Sequence, residues 1–518
     1  MTTKHHVDQP TAIVIGGGIA GLATATLLGH KGYNVTLIEQ GNMLGGRAGW
    51  LTVNGFSFDT GPSWYLMPDV FEHFFQLLGR KVGDYFDLER LDPAYRVFSD
   101  EASPVTIHAD LDRDAATFEK MEPGAGDKLK EHVARAGKIY QMATRHFLYM
   151  DKLILKSFVA PDVLASLGAV PKTARLNSYI EQRFQHPLLR QILQYYSVFL
   201  GVSPYDAPSL YALMSHLDFN QGVYYPKGGM YQIIRAFERI LQEQSVQIQL
   251  NTTVTKILSQ DGRATGVVLA DKTTIKADLV VSAADLHHTE QNLLDASDRS
   301  LPKTFWDHAK PSPSALLMYL GVKGRLPQLA HHNLIFTENW HRNFDDIFVR
   351  NRLPQPASMY VSATSITDPT VAPSGDENLF VLVPLPASDE PLSQAAQAAA
   401  ATGYIAQLAT AIKAPDLAER LLVKQFFGPA DFAQRFNAWR GNALGLGHSW
   451  GQSAWFRPAV KSRKLSNFYT VGANSRPGVG LPMCLISAQL VLKDLLDDSS
   501  DGPTDIVAFQ TAKPRAAR

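Results

Sequence analysis

The residue types in this chain that could do chemistry are glycines, one glutamate and one arginine near its start. Gly16, Gly18 and Gly21 lie in the run Gly16-Gly17-Gly18-Ile19-Ala20-Gly21, and Glu39 closes the apolar run Val35-Thr36-Leu37-Ile38. Glycines at this spacing let the backbone turn tightly, approach a pyrophosphate and pack a helix closely on a strand. Glu39 stands where a carboxylate accepts hydrogen bonds from an adenosine ribose. Leu44-Gly45-Gly46-Arg47 follows almost at once, bringing further N–H groups and a guanidinium to the same diphosphate. Plain nicotinamide dehydrogenases need no such second clamp, whereas enzymes that hold FAD in an extended pose commonly do, so the pair favours FAD. The plainer alternatives are a glycine-rich structural turn and a surface turn with a solvated arginine.

These residues need a scaffold. The β-branched run Thr11–Ile15 predicts a buried parallel strand, residues 19–30 a helix whose N-terminus aims its free N–H groups at the phosphate, and residues 35–39 a second strand. Residues 251–257, the Asp261-Gly262 turn and residues 266–269 predict a small meander, followed at 277–282 by a return to a buried strand. Residues 129–217 are mostly helical in pattern, and 314–322 and 379–383 predict strands of a mixed sheet. Residues 468–473 predict a last strand, leading through Pro477-Gly478-Val479-Gly480-Leu481-Pro482 into a helix that runs to Leu496. If that helix starts at a flavin ring, its dipole favours the negative charge gained on hydride uptake; the alternative is a helix that only closes the sheet. Residues 497–518, without periodicity, are expected to be a flexible tail.

The expected fold class is therefore α/β, with a Rossmann-like FAD-binding domain assembled from separate pieces (1–100, 221–290 and 441–496). A helical, membrane-facing region (101–220) and a mixed-sheet substrate domain (291–440) are inserted between them.

The composition narrows the function. At 518 residues the chain is too long for one simple core. Lys plus Arg and Asp plus Glu both number 49, so no global basic field recruits nucleic acid. The single cysteine, Cys484, excludes an intrachain disulfide and a cysteine metal cluster, and reads best as a small buried side chain on a helix. The 16 histidines, His5-His6 included, show no metal-ligand spacing, so no metal is expected. Residues 1–10 are polar and no run approaches 20 apolar residues, so neither a signal peptide nor a membrane span is expected. The expected location is cytoplasmic with peripheral membrane association: Phe147-Leu148-Tyr149-Met150 and Leu153-Ile154-Leu155-Lys156-Ser157-Phe158, with Lys152, look interfacial, although an ordinary amphipathic core helix reads the same way.

Over nearly its whole length the chain resembles the bacterial carotenoid desaturases of the phytoene desaturase type, within the amine-oxidase-like flavoproteins. The resemblance rests on the two glycine motifs with Glu39, on Phe58-Asp59-Thr60-Gly61-Pro62-Ser63, on Tyr225-Pro226-Lys227-Gly228-Gly229-Met230, on Gln452-Ser453-Ala454-Trp455-Phe456-Arg457-Pro458, and on residues 471–482. It implies that Gly16, Gly18, Gly21, Glu39, Gly46 and Arg47 bind the ADP half of FAD, that Val254 lies by the adenine, and that Gly61, Pro62, Gly472, Gly480 and Met483 belong to the cofactor site. Arg476 departs from the pattern, standing where many relatives have histidine, and so does Ala473, where flavoproteins often carry an acid.

The implied activity is FAD-dependent desaturation of a long isoprenoid, phytoene to lycopene, by successive hydride transfers to flavin. No catalytic base is read from the residues; Asp59 and Asp151 are expected to be structural. Gly445-Leu446-Gly447-His448-Ser449-Trp450-Gly451 lacks the context of a nicotinamide site and is expected to be a loop, so a quinone or dioxygen is expected as electron acceptor. The alternatives left open are a desaturase of a thirty-carbon diapophytoene or of a later carotenoid, a redox-neutral carotenoid isomerase, and a non-enzymatic escort of prenylated proteins.

Overall fold

A computed structural model describes residues 9–99, 103–152, 157, 160–171, 174–390 and 392–512. Its organising layer is a five-stranded sheet in the order Phe468–Thr470, Leu279–Ser282, Thr11–Ile15, Asn34–Ile38, Gln247–Gln249, parallel throughout. Strands buried on both faces need no alternation, which is why 12–15 and 279–282 are continuous apolar or small runs. The Ile19–His30 helix has the predicted bounds and is buried on nearly every side, because it lies between this sheet and the helices Gln232–Glu243 and Leu481–Leu495. The meander forms a three-stranded antiparallel sheet beside it, starting at Val254 rather than 251 because Asn251 turns with φ of 52°.

A second, seven-stranded sheet runs Leu421–Phe427, Ser314–Val322, Glu377–Leu385, Met359–Ser362, His332–Ile335, Tyr95–Phe98, Val105–Ile107. It is mixed: His332–Ile335 and Tyr95–Phe98 pair in parallel and the other neighbours are antiparallel. Helices and 3-10 turns between Ala125 and Gln221 cover one face of it.

Two expectations need correction. The C-terminal segment is not loose throughout: Ile506–Thr511 is a short helix capped by Asp505. Its Phe509 is 1% exposed and stacks on His30, and one buried aromatic anchors a segment too short to show periodicity. Nor are residues 147–150 an exposed patch: Tyr149 and Met150 are buried, and Phe147, Leu148 and Met150 line a cavity. Within the second half of that patch, residues 153–156 and 158 lie outside the described residues, as do residues 1–8 with His5 and His6.

Candidate functional site

The two glycine motifs meet. Gly45 N–H donates to the Gly17 carbonyl at 2.8 Å, and Gly18 and Gly45 form a parallel bridge. At Gly21 and Gly45 a side chain has no place. A Cβ on Gly21 would stand 1.9 Å from the Gly16 carbonyl oxygen, and Gly16 and Gly45 adopt φ of 99° and 110°. The Glu39 carboxylate ties the loops down, accepting from Gly17 N–H and Gly41 N–H, each at 2.7 Å.

A cavity of about 1010 Å³ opens from these loops. Of the predicted site residues, Gly16, Gly18, Glu39, Gly46, Arg47, Gly61, Pro62, Val254, Gly472, Gly480 and Met483 line it. Gly21 does not; it sits one helical turn behind, where its missing side chain lets the helix close on Gly16. Arg47 Nε and Nη2 are buried without a partner among the described residues, although unpaired guanidinium donors are costly. An anionic diphosphate would satisfy them, so the residues present fit the ADP half of FAD.

The strings at 58–63 and 225–230 come together through Asp59. Its Oδ2 accepts from Met230 N–H at 2.9 Å and its Oδ1 from Tyr231 N–H at 3.1 Å. Burial pushes this carboxyl up to about 7, against the pull of those two amides, while nearby Asp368 adds to the rise. Its role is to pin Gly228-Gly229, whose backbone passes so close to Trp50 that a Cβ on Gly229 would stand 2.6 Å from the indole. Tyr319 of the second sheet donates to the Thr60 carbonyl at 2.9 Å, linking the two sheets beside Gly61-Pro62.

Across the cavity lies the turn before the Leu481–Leu495 helix. Gly480 and residues 481–484 line the cavity and no side chain caps the helix, so its first N–H groups are available to a ligand. Burial pushes the Cys484 thiol up to about 12, which makes it an inert wall. His448 holds the turn: its Nε2 accepts from Val479 N–H at 3.2 Å, so its Nδ1 carries the proton and donates to Tyr211 Oη at 2.5 Å. Burial, with Arg457 beside it, keeps this imidazole neutral. Arg476 donates to the carbonyls of Asp151, Trp455 and Arg457, bracing the loop at 455–457 against Asp151. Asp151 accepts from Val460 and Lys461 N–H groups, so it too is engaged in structure.

Away from the glycine loops the cavity is lined by the apolar and aromatic residues Phe199, Leu334, Phe336, Phe344, Met359 and Leu382. Trp64, just past Pro62, also lines it, stacking on His332 with ring centroids 4.5 Å apart. Another part of the wall is Val163, Val170, Leu210 and Trp455. Adjacent in sequence to these are the exposed Leu164 and Phe456, and Trp450 is exposed nearby where its indole donates to the Ala174 carbonyl. Tyr211, His448 and Arg457 were not singled out from the sequence; the strings carrying them mark the region but not their contacts.

A sequence-family profile described as flavin containing amine oxidoreductase matches residues 19–495. The chain is 40% identical to the carotenoid 3,4-desaturase of Haloarcula japonica, over 94% of this chain and 98% of that protein. It is 35% identical to the zeta-carotene-forming phytoene desaturase of Myxococcus xanthus, over 93% of each. Among solved structures, putrescine oxidase bound to putrescine superimposes with a TM-score of 0.62 at 15% identity, covering 94% of this chain and 99% of that one. At that identity the likeness concerns the fold.

Proposed function

The chain belongs to the flavin-containing amine oxidoreductases and, within them, to the carotenoid desaturases, and from that premise we propose that it removes hydrogen stepwise from a long acyclic isoprenoid of the phytoene type, ending at lycopene. It is an FAD-dependent oxidoreductase acting on CH–CH bonds. The observation that best supports the finer reading is that one cavity joins the glycine loops to a wall of aromatic and aliphatic side chains. A polyene offers no hydrogen-bonding groups along its length, and such walls bind it by area alone.

When bound, FAD supplies the hydride acceptor. Every other demand falls on the protein. Gly16, Gly18, Glu39, Gly46 and Arg47 would hold the adenosine and diphosphate, while Gly61, Pro62, Gly472, Gly480 and Met483 would border the ring. Phe199, Phe336 and Phe344 would hold the chain extended, and the close packing of the turn at 477–480 on His448 would exclude water from the reacting carbons. Leu164, Trp450 and Phe456, exposed around the wall formed by Val163, Leu210 and Trp455, support docking on a lipid surface, where the substrate dissolves. A quinone in that surface, or dioxygen, would take the electrons.

The decisive experiment incubates FAD-loaded protein with phytoene in liposomes plus a quinone and follows the visible spectrum. New bands with resolved vibronic structure are expected, and their position counts the double bonds. A silent spectrum from yellow protein refutes the phytoene reading. A second reading, terminal desaturation of an already conjugated carotenoid, is favoured by the 40% identity to a 3,4-desaturase. Turnover of lycopene but not of phytoene would select it.

A further inference from the structure

The activity does not yet explain the surroundings of Arg457. It is 1% exposed, the bulkiest of the fully buried side chains. Its donors all go to main-chain carbonyls: Nε to Ser475 at 3.2 Å, Nη1 to Gln452 at 3.1 Å, and Nη2 to Leu446 at 2.8 Å and to Ala473. Among the described residues no carboxylate pairs with it. Of the acids around this wall, Asp151 faces Arg476, at 3.6 Å, and Asp285 accepts from Asn474 Nδ2 at 3.2 Å. Burial lowers its affinity for the proton only to about 10, so it stays charged at neutral pH. The two titratable side chains that feel its charge cannot offset it: His448 is held neutral, and the Tyr211 phenol, pushed up by burial, stays protonated.

A buried cation without an anion costs several kcal/mol, and carbonyl dipoles repay only part of it. The place where it stands is informative. Ala473 lines the cavity and Ser475 lies two residues on, while a Cβ on Gly478 would come within 3.4 Å of Arg457 Nε. The guanidinium therefore lies one layer of backbone behind the wall that, with the N-terminus of the Leu481–Leu495 helix, borders the expected ring. Its field crosses buried protein, which screens it weakly.

We propose that Arg457 is the fixed counter-charge for the flavin: its unpaired positive charge stabilises the negative charge that the ring gains with a hydride, and so makes the bound flavin a stronger oxidant. Desaturating an unactivated hydrocarbon calls for such an oxidant, and the helix dipole adds to the same effect. Arg457 acts through the field and touches neither substrate nor ring, which makes it a positioning residue for charge. The inference rests on the flavin site and is independent of which isoprenoid is bound.

The test is the midpoint potential of the FAD-loaded protein, measured anaerobically without substrate for the wild type, Arg457→Met and Arg457→Lys. The methionine variant is expected to be more negative than the wild type, and the lysine variant, which keeps the charge and loses most of the hydrogen bonds, to stay near it. An unchanged potential in Arg457→Met at equal FAD occupancy overturns the proposal. So does an equal shift in both variants, which would mean that the carbonyl network and not the charge is responsible. Sulfite, whose adduct with flavin is an anion, gives a second reading that needs no folded methionine variant. The wild type should form the adduct at least tenfold more tightly than free FAD does. Failure to exceed free FAD would refute the counter-charge.

Discussion

Replacing Arg47 with methionine separates cofactor affinity from folding, because the same two nitrogens act oppositely on each. In the protein without ligand, Nε and Nη2 are buried donors without partners, a condition that costs about 1–3 kcal/mol. What the side chain contributes there is packing: its guanidinium lies 5.5 Å from the centroid of the Phe436 ring, worth about 0.5–1 kcal/mol. Methionine keeps a flexible apolar stem of similar reach and removes the unpaired donors. The apoprotein should therefore unfold at the same urea concentration as the wild type or slightly higher. With FAD bound, the two donors become charge-assisted bonds to the diphosphate, each worth about 1.5–3 kcal/mol. Taken together and less than additively, about 3 kcal/mol is lost, or roughly a hundredfold in Kd. Isothermal titration of apoprotein with FAD gives Kd, and urea unfolding with and without saturating FAD gives the two stabilities. An FAD Kd within threefold of wild type, or an apoprotein that loses more than about 1 kcal/mol, would refute the assignment of these donors to a bound anion.

Three further outcomes follow from the geometry. Gly21→Ala drives a methyl to 1.9 Å from the Gly16 carbonyl and should cost roughly 3 kcal/mol and abolish FAD retention; a yellow protein with wild-type thermal midpoint would contradict it. Asp218 accepts from Tyr95 at 2.9 Å and Tyr195 at 3.1 Å through Oδ2, while Oδ1 has no partner among the described residues, and burial pushes it from the ordinary 3.8 up to about 7. The folded state thus holds a proton that the unfolded state releases between those values, so this group makes stability fall as pH rises through that window, by up to about 1.4 kcal/mol per pH unit. Asp114, pushed up to about 7 by burial and by Asp218 itself, adds a like contribution. Asp218→Asn should flatten the dependence in urea titrations between pH 4.5 and 7, and an unchanged slope counts against it. Trp450→Ser with Phe456→Ser, at positions 54% and 69% exposed, should shift the protein from the floating to the soluble fraction on liposome flotation with FAD content unchanged. Equal flotation of the two proteins would place the lipid contact elsewhere.

What the residues disclosed beforehand follows from how local the signal is. The Thr11–Ile15 strand, the Ile19–His30 helix and the Ser314–Val322 strand have the predicted bounds, because hydrophobic period and glycine punctuation act within a few residues. The glycine loops were legible for the same reason, and so was the place of Cys484 on a helix, although it is half-buried on the cavity wall and not fully buried. Non-local pairings were not. That Asp59 would bind Met230 and Tyr231 amides depends on a separation of more than 170 residues, and nothing in either string specifies the other. Arg457 shows the limit most clearly. An arginine in a loop reads as solvated, and its burial follows from four carbonyls contributed by two separate segments, residues 446–452 and 473–475. Glu39 carries a double duty that spacing does not reveal, since it fastens Gly17 and Gly41 as well as standing where a ribose is expected. Phe509 was hidden because six residues are too few to display a face.

The order of strands in the parallel sheet bears on how the protein comes into being on the ribosome. Its central strand is residues 11–15, yet one neighbour arrives only at 279–282, one edge at 247–249 and the other edge at 468–470. The first fifty residues therefore emerge with a complete glycine motif but without the sheet that shapes it, and that piece must remain uncommitted while more than four hundred further residues are made. Pairings so distant close slowly and leave strand edges open in the meantime. Because the turn at 472–483 and its helix follow every other part of the cavity wall in the chain, a cofactor held there would be enclosed only after all those parts have been made. A cofactor bound there would join a chain whose site segments have all been made, and would stabilise the fold only from that stage on.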